Sequence, residues 1–211
     1  MQDAPRSLTR QTLWHAASEL ASRDRLLAGI RAELGTPPMW GRRPGFATLV
    51  RIILEQQVSL AAARTMYRRL DAHLGGMNAE HVAASSVASL REFGLTRQKA
   101  GYCHGLAQRL LDGSLDLTAV ARADDQVGRK MLLAVPGLGP WSVDVYWLMA
   151  LRRPDVWPTG DLALAVALRD LKRMKRLPRA DEQLRLARRW APWRSVAARM
   201  LWAHYLGARR P

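Results

Sequence analysis

Residues 131–161, MLLAVPGLGPWSVDVYWLMALRRPDVWPTGD, decide how this chain folds. Two apolar stretches of helical character flank Pro136, Gly137, Leu138 and Gly139, and an isolated acid, Asp161, lies twenty-two residues after Gly139. Glycine tolerates positive φ and has no Cβ, so Gly137 and Gly139 permit a turn that presents bare backbone amides to an anion such as a phosphate. Trp141 opens the second stretch, with Val145 and Leu148 at helical spacing, so the turn leads into a helix whose N-terminal dipole adds to the attraction. The pattern predicts a helix, a tight turn and a second helix that grip phosphate by charge, not by sequence. A glycine-rich helix connection with no ligand is the plain alternative.

Outward from that segment the periodicity stays helical and no two-residue alternation appears, so the fold class is all-α. One amphipathic segment is expected over about Leu13 to Leu34, then a linker, TPPMWGRRPG. Phe46, Leu49, Val50, Ile53 and Leu54 share a helical face. Ser59 is placed to cap a helix from Leu60 to about Leu74, which Gly75 and Gly76 end. Asn78 starts a short helix and Thr96 a longer one, through Leu106, Leu110 and Leu111 to Gly113. Further helices are expected at about 125–134, 140–151, 161–172, 181–189 and 193–206. No internal repeat or low-complexity tract is present.

Across 211 residues, 33 Lys and Arg oppose 18 Asp and Glu, a formal charge of +15 with a pI near 11.4. Such an excess concentrates polyanions, and nucleic acid is the commonest polyanionic partner of a basic protein. An anionic membrane is disfavoured because no run of about 18 apolar residues and no leader-like start appears. The chain is expected to be soluble and intracellular, in the cytoplasm. Cys103 is the only cysteine, so no disulfide or cysteine-rich metal site forms within the chain. The five histidines show no ligand spacing.

Five segments, in order, carry a resemblance: ILEQQVS from Ile53, GLTRQKAGY from Gly94, the hairpin from Leu132, PTGDLAL from Pro158 and WAPWRS from Trp190. Together they resemble the helix-hairpin-helix DNA glycosylases, in particular the 3-methyladenine DNA glycosylase II branch, over about residues 15–207. The resemblance implies a single glycosylase domain of two helical lobes flanking a cleft, one over about 45–130, the other over about 10–35 plus 131–207. The hairpin, 131–150, would border the cleft. The short helical start is expected to leave no room for the N-terminal β domain of some relatives. With one cysteine, the iron-sulfur cluster of the endonuclease III-like branch cannot form, and no cofactor is required. A monovalent cation held by the carbonyls of Leu133, Val135 and Leu138 is implied at the hairpin.

The resemblance also assigns roles. Asp161 matches the catalytic acid; a fixed carboxylate beside C1′ stabilises the positive charge that builds on the sugar as the base departs and can orient or deprotonate water. Taken alone, Asp161 is as readily an N-cap for the helix after it, and the two roles are compatible. Trp141 stands where bifunctional members have an imine-forming lysine, which implies a monofunctional enzyme. Trp141 and Trp202 match pocket tryptophans whose π faces suit a cationic purine, core packing being the bland alternative. Val145 replaces a family aromatic, with Tyr146 next to it as the substitute substrate contact. Gln57 falls where relatives place a wedge that fills the gap left by a flipped nucleotide; capping the next helix is its alternative. Arg97, Lys99, Arg152, Arg153 and Arg194 are among the scattered cations from which phosphate contacts would come. The implied function is hydrolytic removal of alkylated bases of the 3-methyladenine and 7-methylguanine type from DNA by a monomer. A glycosylase for another damaged or mismatched base, and a non-catalytic binder of DNA structure, remain open.

Overall fold

The computed structural model describes residues 6–208, and within them every regular element is helical. Two compact units are present: residues 42–146, and the residues up to Gly41 together with those from Trp147 onward.

The middle unit is built around α3 (Phe46–Glu55), on which Leu49, Val50, Ile52, Ile53 and Leu54 are all fully buried. A helix apolar on every side belongs in the interior, so the single apolar face expected for this segment is an understatement. Its one carboxylate, Glu55, is buried against a two-pronged Arg42 at 2.9 and 3.0 Å and against Arg51 at 3.2 Å. Against α3 pack α4 (Leu60–Leu74) and α7 (Arg97–Leu111); α5 (Ala79–Ala84) and α6 (Val87–Arg91) pack on α7, and α8 (Leu117–Arg122) packs on α9 (Asp125–Leu133). Ser59 and Thr96 cap α4 and α7 through their hydroxyls, as their positions predict. Cys103 is enclosed on α7, and desolvation pushes its thiol up to about 12, against a smaller opposite pull from Lys99. The helix α10 (Pro140–Met149) belongs to this unit through Tyr146.

The other unit comprises α1 (Arg10–Arg23), α2 (Arg25–Leu34), α11 (Leu162–Leu171), α12 (Ala180–Ala187), a 3-10 turn at Arg188–Trp190 and α13 (Arg194–Gly207). Ser195 through Trp202 of α13 are consecutively buried, making this helix the axis of the unit's core. The expected single segment over 13–34 is broken at Asp24. Its backbone is extended, its carboxylate accepts from the amides of Leu26 (2.9 Å) and Leu27 (3.4 Å), and its other oxygen accepts the Trp190 indole N–H at 2.8 Å. An acid that caps a new helix and holds a tryptophan outweighs continuous propensity.

The hairpin, expected to group with the terminal helices, groups instead with the middle ones as far as Tyr146. The reason is local: α7 and the end of α3 hold its turn.

Candidate active site

The turn between α9 and α10 is a compact structure held from beneath. Val135 donates to the Leu132 carbonyl at 3.0 Å, Leu138 to that of Val135 at 3.1 Å, and Val143 to that of Gly139 at 3.0 Å. Pro140 occupies the first position of α10, where its missing N–H leaves no bond unmade. Gly137 has φ +90°, and a Cβ there would run into the Tyr102 ring; Gly139 is exposed and a Cβ on it would meet nothing within 4 Å. The two glycines, equivalent by sequence, therefore differ: the fold itself requires the first, whereas only an approaching ligand would require the second. Arg129 of α9 forms an ion pair with the buried Asp144 of α10, tying the two arms together. The Val135 carbonyl, one of three expected to hold a cation, accepts the Leu138 amide and keeps a second lone pair.

Gln56 and Gln57 behave differently despite being neighbours. The Gln56 side-chain amide donates to the Gly137 carbonyl at 2.8 Å and to the Ser142 hydroxyl at 2.9 Å. Gln57 is exposed and left-handed, at φ +56°. Because Ser59 caps α4, Gln57 is not needed for that purpose, and the capping alternative falls away.

Asp161 sits at the N-terminus of α11 after a turn in which its amide donates to the Pro158 carbonyl at 3.2 Å and Gly160 takes φ +80°. Its Oδ1 accepts two bonds, from the Leu164 amide at 2.9 Å and from Trp202 Nε1 at 3.1 Å. The carboxylate is thus both a helix cap and a group fixed by a long-range contact, at 8% exposure. A helix N-terminus favours negative charge at that point, and the double bond fixes the direction in which the carboxylate points. Trp202, expected to stack on a base, presents its N–H edge to Asp161 and is itself 8% exposed.

The remaining expected residues are on α10. Trp141 is half-buried at its start. Tyr146 is fully enclosed, its hydroxyl accepts from the Gly45 amide at 3.0 Å, and burial raises its pKa. That packing accounts for the tyrosine without a substrate contact, and Val145 is buried beside it. Of the scattered cations, Arg194 is clamped to Asp155 at 2.8 Å, Arg153 is buried and donates to the Arg6 carbonyl, and Lys99 is bonded to backbone carbonyls; Arg97 and Arg152 are exposed. Sequence reasoning missed the Trp202 bond to Asp161, the Arg129 pair with Asp144 and the structural duty of Gln56. Each joins residues that no local pattern relates.

The family profile described as "HhH-GPD superfamily base excision DNA repair protein" matches residues 50–192. The chain is 36% identical over 164 residues to a Mycobacterium tuberculosis protein named probable bifunctional transcriptional activator/DNA repair enzyme AlkA, covering 72% of this chain and 32% of that one. It is 26% identical over 203 residues to a Bacillus subtilis DNA-3-methyladenine glycosylase, covering 87% and 65%. The chain thus spans from about a third to just under two thirds of the length of these relatives. In fold it is similar to the Schizosaccharomyces pombe 3-methyladenine DNA glycosylase solved in complex with abasic DNA, with TM-score 0.82, 22% identity and coverage of 89% and 95%.

Proposed function

The chain belongs to the HhH-GPD superfamily of base excision DNA repair proteins, and from that premise we propose that it is a monofunctional DNA glycosylase removing alkylated bases. One observation carries the reading: a carboxylate held by the Leu164 amide and the Trp202 indole at the start of α11. Such a group is preorganised, so its charge acts on the transition state without first being reoriented.

The reaction this supports is hydrolysis at C1′. A purine alkylated at N3 or N7 carries a positive charge, and the glycosidic bond breaks with its electron pair passing to the ring, which leaves neutral. Positive charge gathers on the sugar, and Asp161 stabilises it. Water adds to C1′ and gives up a proton, to the carboxylate or to solvent, leaving an abasic site. Trp141 supplies an aromatic face that attracts a cationic purine, and indole forms no imine, so the strand is left uncut. The activated leaving group needs few contacts to its edge, which favours a broad range of alkylated bases, most readily those whose pairing is already weakened.

DNA would be gripped by the glycine turn and by surface cations drawn from a net charge of +15, with Gln57 entering the gap left by the extruded nucleotide. A monovalent cation on the carbonyls of Leu133, Val135 and Leu138 would add positive charge at that turn; replacing potassium with a bulky organic cation should weaken DNA binding. The protein is proposed to act as a monomer in the cytoplasm, with access to the chromosome. Among the described residues no helix is long and apolar enough to cross a membrane.

Incubation with randomly methylated DNA tests the proposal: 3-methyladenine and 7-methylguanine should appear free, and strand scission should require added alkali. A borohydride-trapped covalent adduct would defeat the monofunctional assignment. Binding with no base released would leave only a DNA-binding protein.

A further inference from the structure

Lys99 lies on α7 three residues before Tyr102, so both side chains leave the same helical face. Its ammonium donates to the Leu54 carbonyl at 2.8 Å and to the Gln56 carbonyl at 2.7 Å. These oxygens belong to the C-terminal end of α3, where carbonyls lack intrahelical partners and the helix dipole is negative. The lysine is half-buried in this position, and desolvation lowers its pKa. Both of these bonds go to backbone carbonyls at one helix end.

The clamped carbonyls lead directly into a displayed tip. Gln56 leaves the helical conformation, at ψ 125°, and its side chain bridges to the Gly137 carbonyl and the Ser142 hydroxyl of the hairpin. Gln57 is left-handed, a conformation a non-glycine residue keeps only where its surroundings over-determine it. Beyond it Val58 and Leu60 are 40% and 56% exposed, so the segment ends in an apolar, solvent-facing surface. Tyr102 fills the space beneath Gly137. One face of α7 therefore supports both the tip and the glycine turn, from residues three apart.

We propose that Lys99 is a positioning residue: by locking the carbonyls that end α3, it holds the Gln57 tip at a fixed spacing from the Gly137 turn, and so governs base extrusion, not phosphate contact. This role rests on the glycosylase reading. A phosphate-binding lysine would behave differently, because each phosphate contact contributes about 0.9 to the slope of log K against log salt on duplex DNA. A positioning lysine leaves that slope alone.

The test uses the full chain and a duplex with 2-aminopurine beside a non-cleavable lesion analogue, whose fluorescence reports unstacking. Lys99→Met should slow the fluorescence rise about tenfold while leaving affinity for undamaged duplex and its salt slope unchanged. Lys99→Arg, which retains donors for the two carbonyls, should recover most of the rate. In a Gln57→Ala background, Lys99→Met should slow extrusion by less than twofold, since the tip it positions is already gone. A salt slope reduced by about one contact, or the full tenfold loss in the Gln57→Ala background, would overturn the proposal. If Lys99→Met does not fold, Lys99→Gln, with a shorter reach but a remaining donor, is carried through the same measurements. Amide hydrogen exchange in the free protein is independent of substrate: the hydrogen-bonded amides of Gln56 and Leu138 should exchange faster in the variant, and unchanged exchange at both would also overturn the proposal. Failure of the wild-type chain to unstack any lesion, with exchange altered as expected, would count against the glycosylase reading and leave the clamp standing.

Discussion

Two helix N-termini dominate this molecule, and they are finished in opposite ways. That of α11 is closed by its own acid: Asp161 accepts the Leu164 amide and is held in turn by Trp202. That of α10 comes after Gly139 and has no acidic residue in its first turn; its Ser142 hydroxyl is engaged by Gln56. Both ends carry the same partial positive charge from the backbone. Where the protein supplies the anion, a negative group is fixed in place, the one to which the proposed function assigns the chemistry. Where no acidic residue stands in the first turn, the proposed function assigns the end to a phosphate of DNA.

The contrast is sharpest if the anion is removed from α11. Asp161→Asn retains the shape and a capping oxygen, so the melting temperature should hardly move, while base excision should fall about 10²–10³-fold or more. Single-turnover release of 3-methyladenine, tracked alongside a thermal melt, measures both. Early melting with near-normal excision per folded molecule would reduce Asp161 to a cap and break the contrast. Trp202→Phe keeps an aromatic ring and removes the donor. A hydrogen bond to a charged group is worth about 1.5–3 kcal/mol, so excision should fall roughly 10- to 100-fold, less than for Asp161→Asn.

On the α10 side the effects are on folding and binding. Gly137→Ala meets a left-handed backbone and the Tyr102 ring at once, and should lower stability by about 1–3 kcal/mol from the backbone alone, with weaker binding to damaged and undamaged duplex alike. Gly139→Ala should change stability by less than about 0.5 kcal/mol, yet still weaken binding to both duplexes, because its Cβ stands where a phosphate would approach. Chemical denaturation and fluorescence anisotropy separate the two. If Gly139→Ala destabilises the fold as Gly137→Ala does, the turn is built for packing at both positions and not for a ligand.

The range of an interaction decides whether it is legible in the sequence. The caps Ser59 and Thr96 lie next to the helices they start, and α4 and α7 begin where the sequence places them. Asp24 is as local, yet it is hidden inside an amphipathic run that continues on both sides. The helices α6 and α8, five and six residues long, are too short to show a period. At the site, the helix-capping half of Asp161's environment is a neighbour three residues on, whereas the Trp202 half comes from 41 residues away. The tandem Gln56-Gln57 cannot be divided into a structural and a displayed residue without the backbone, since what separates them is the left-handed φ of the second.

Cys103 has a practical consequence. With its sulfur enclosed and its pKa pushed up to about 12, it holds almost no thiolate at neutral pH, and thiolate is the form that reacts with maleimides and peroxides. As the chain's one cysteine, enclosed in the folded protein, it should react slowly with thiol reagents until the protein unfolds, with no mutation needed. A cysteine introduced at an exposed position would then be the sole labelling point, so that a dye or spin label could be carried on the native scaffold.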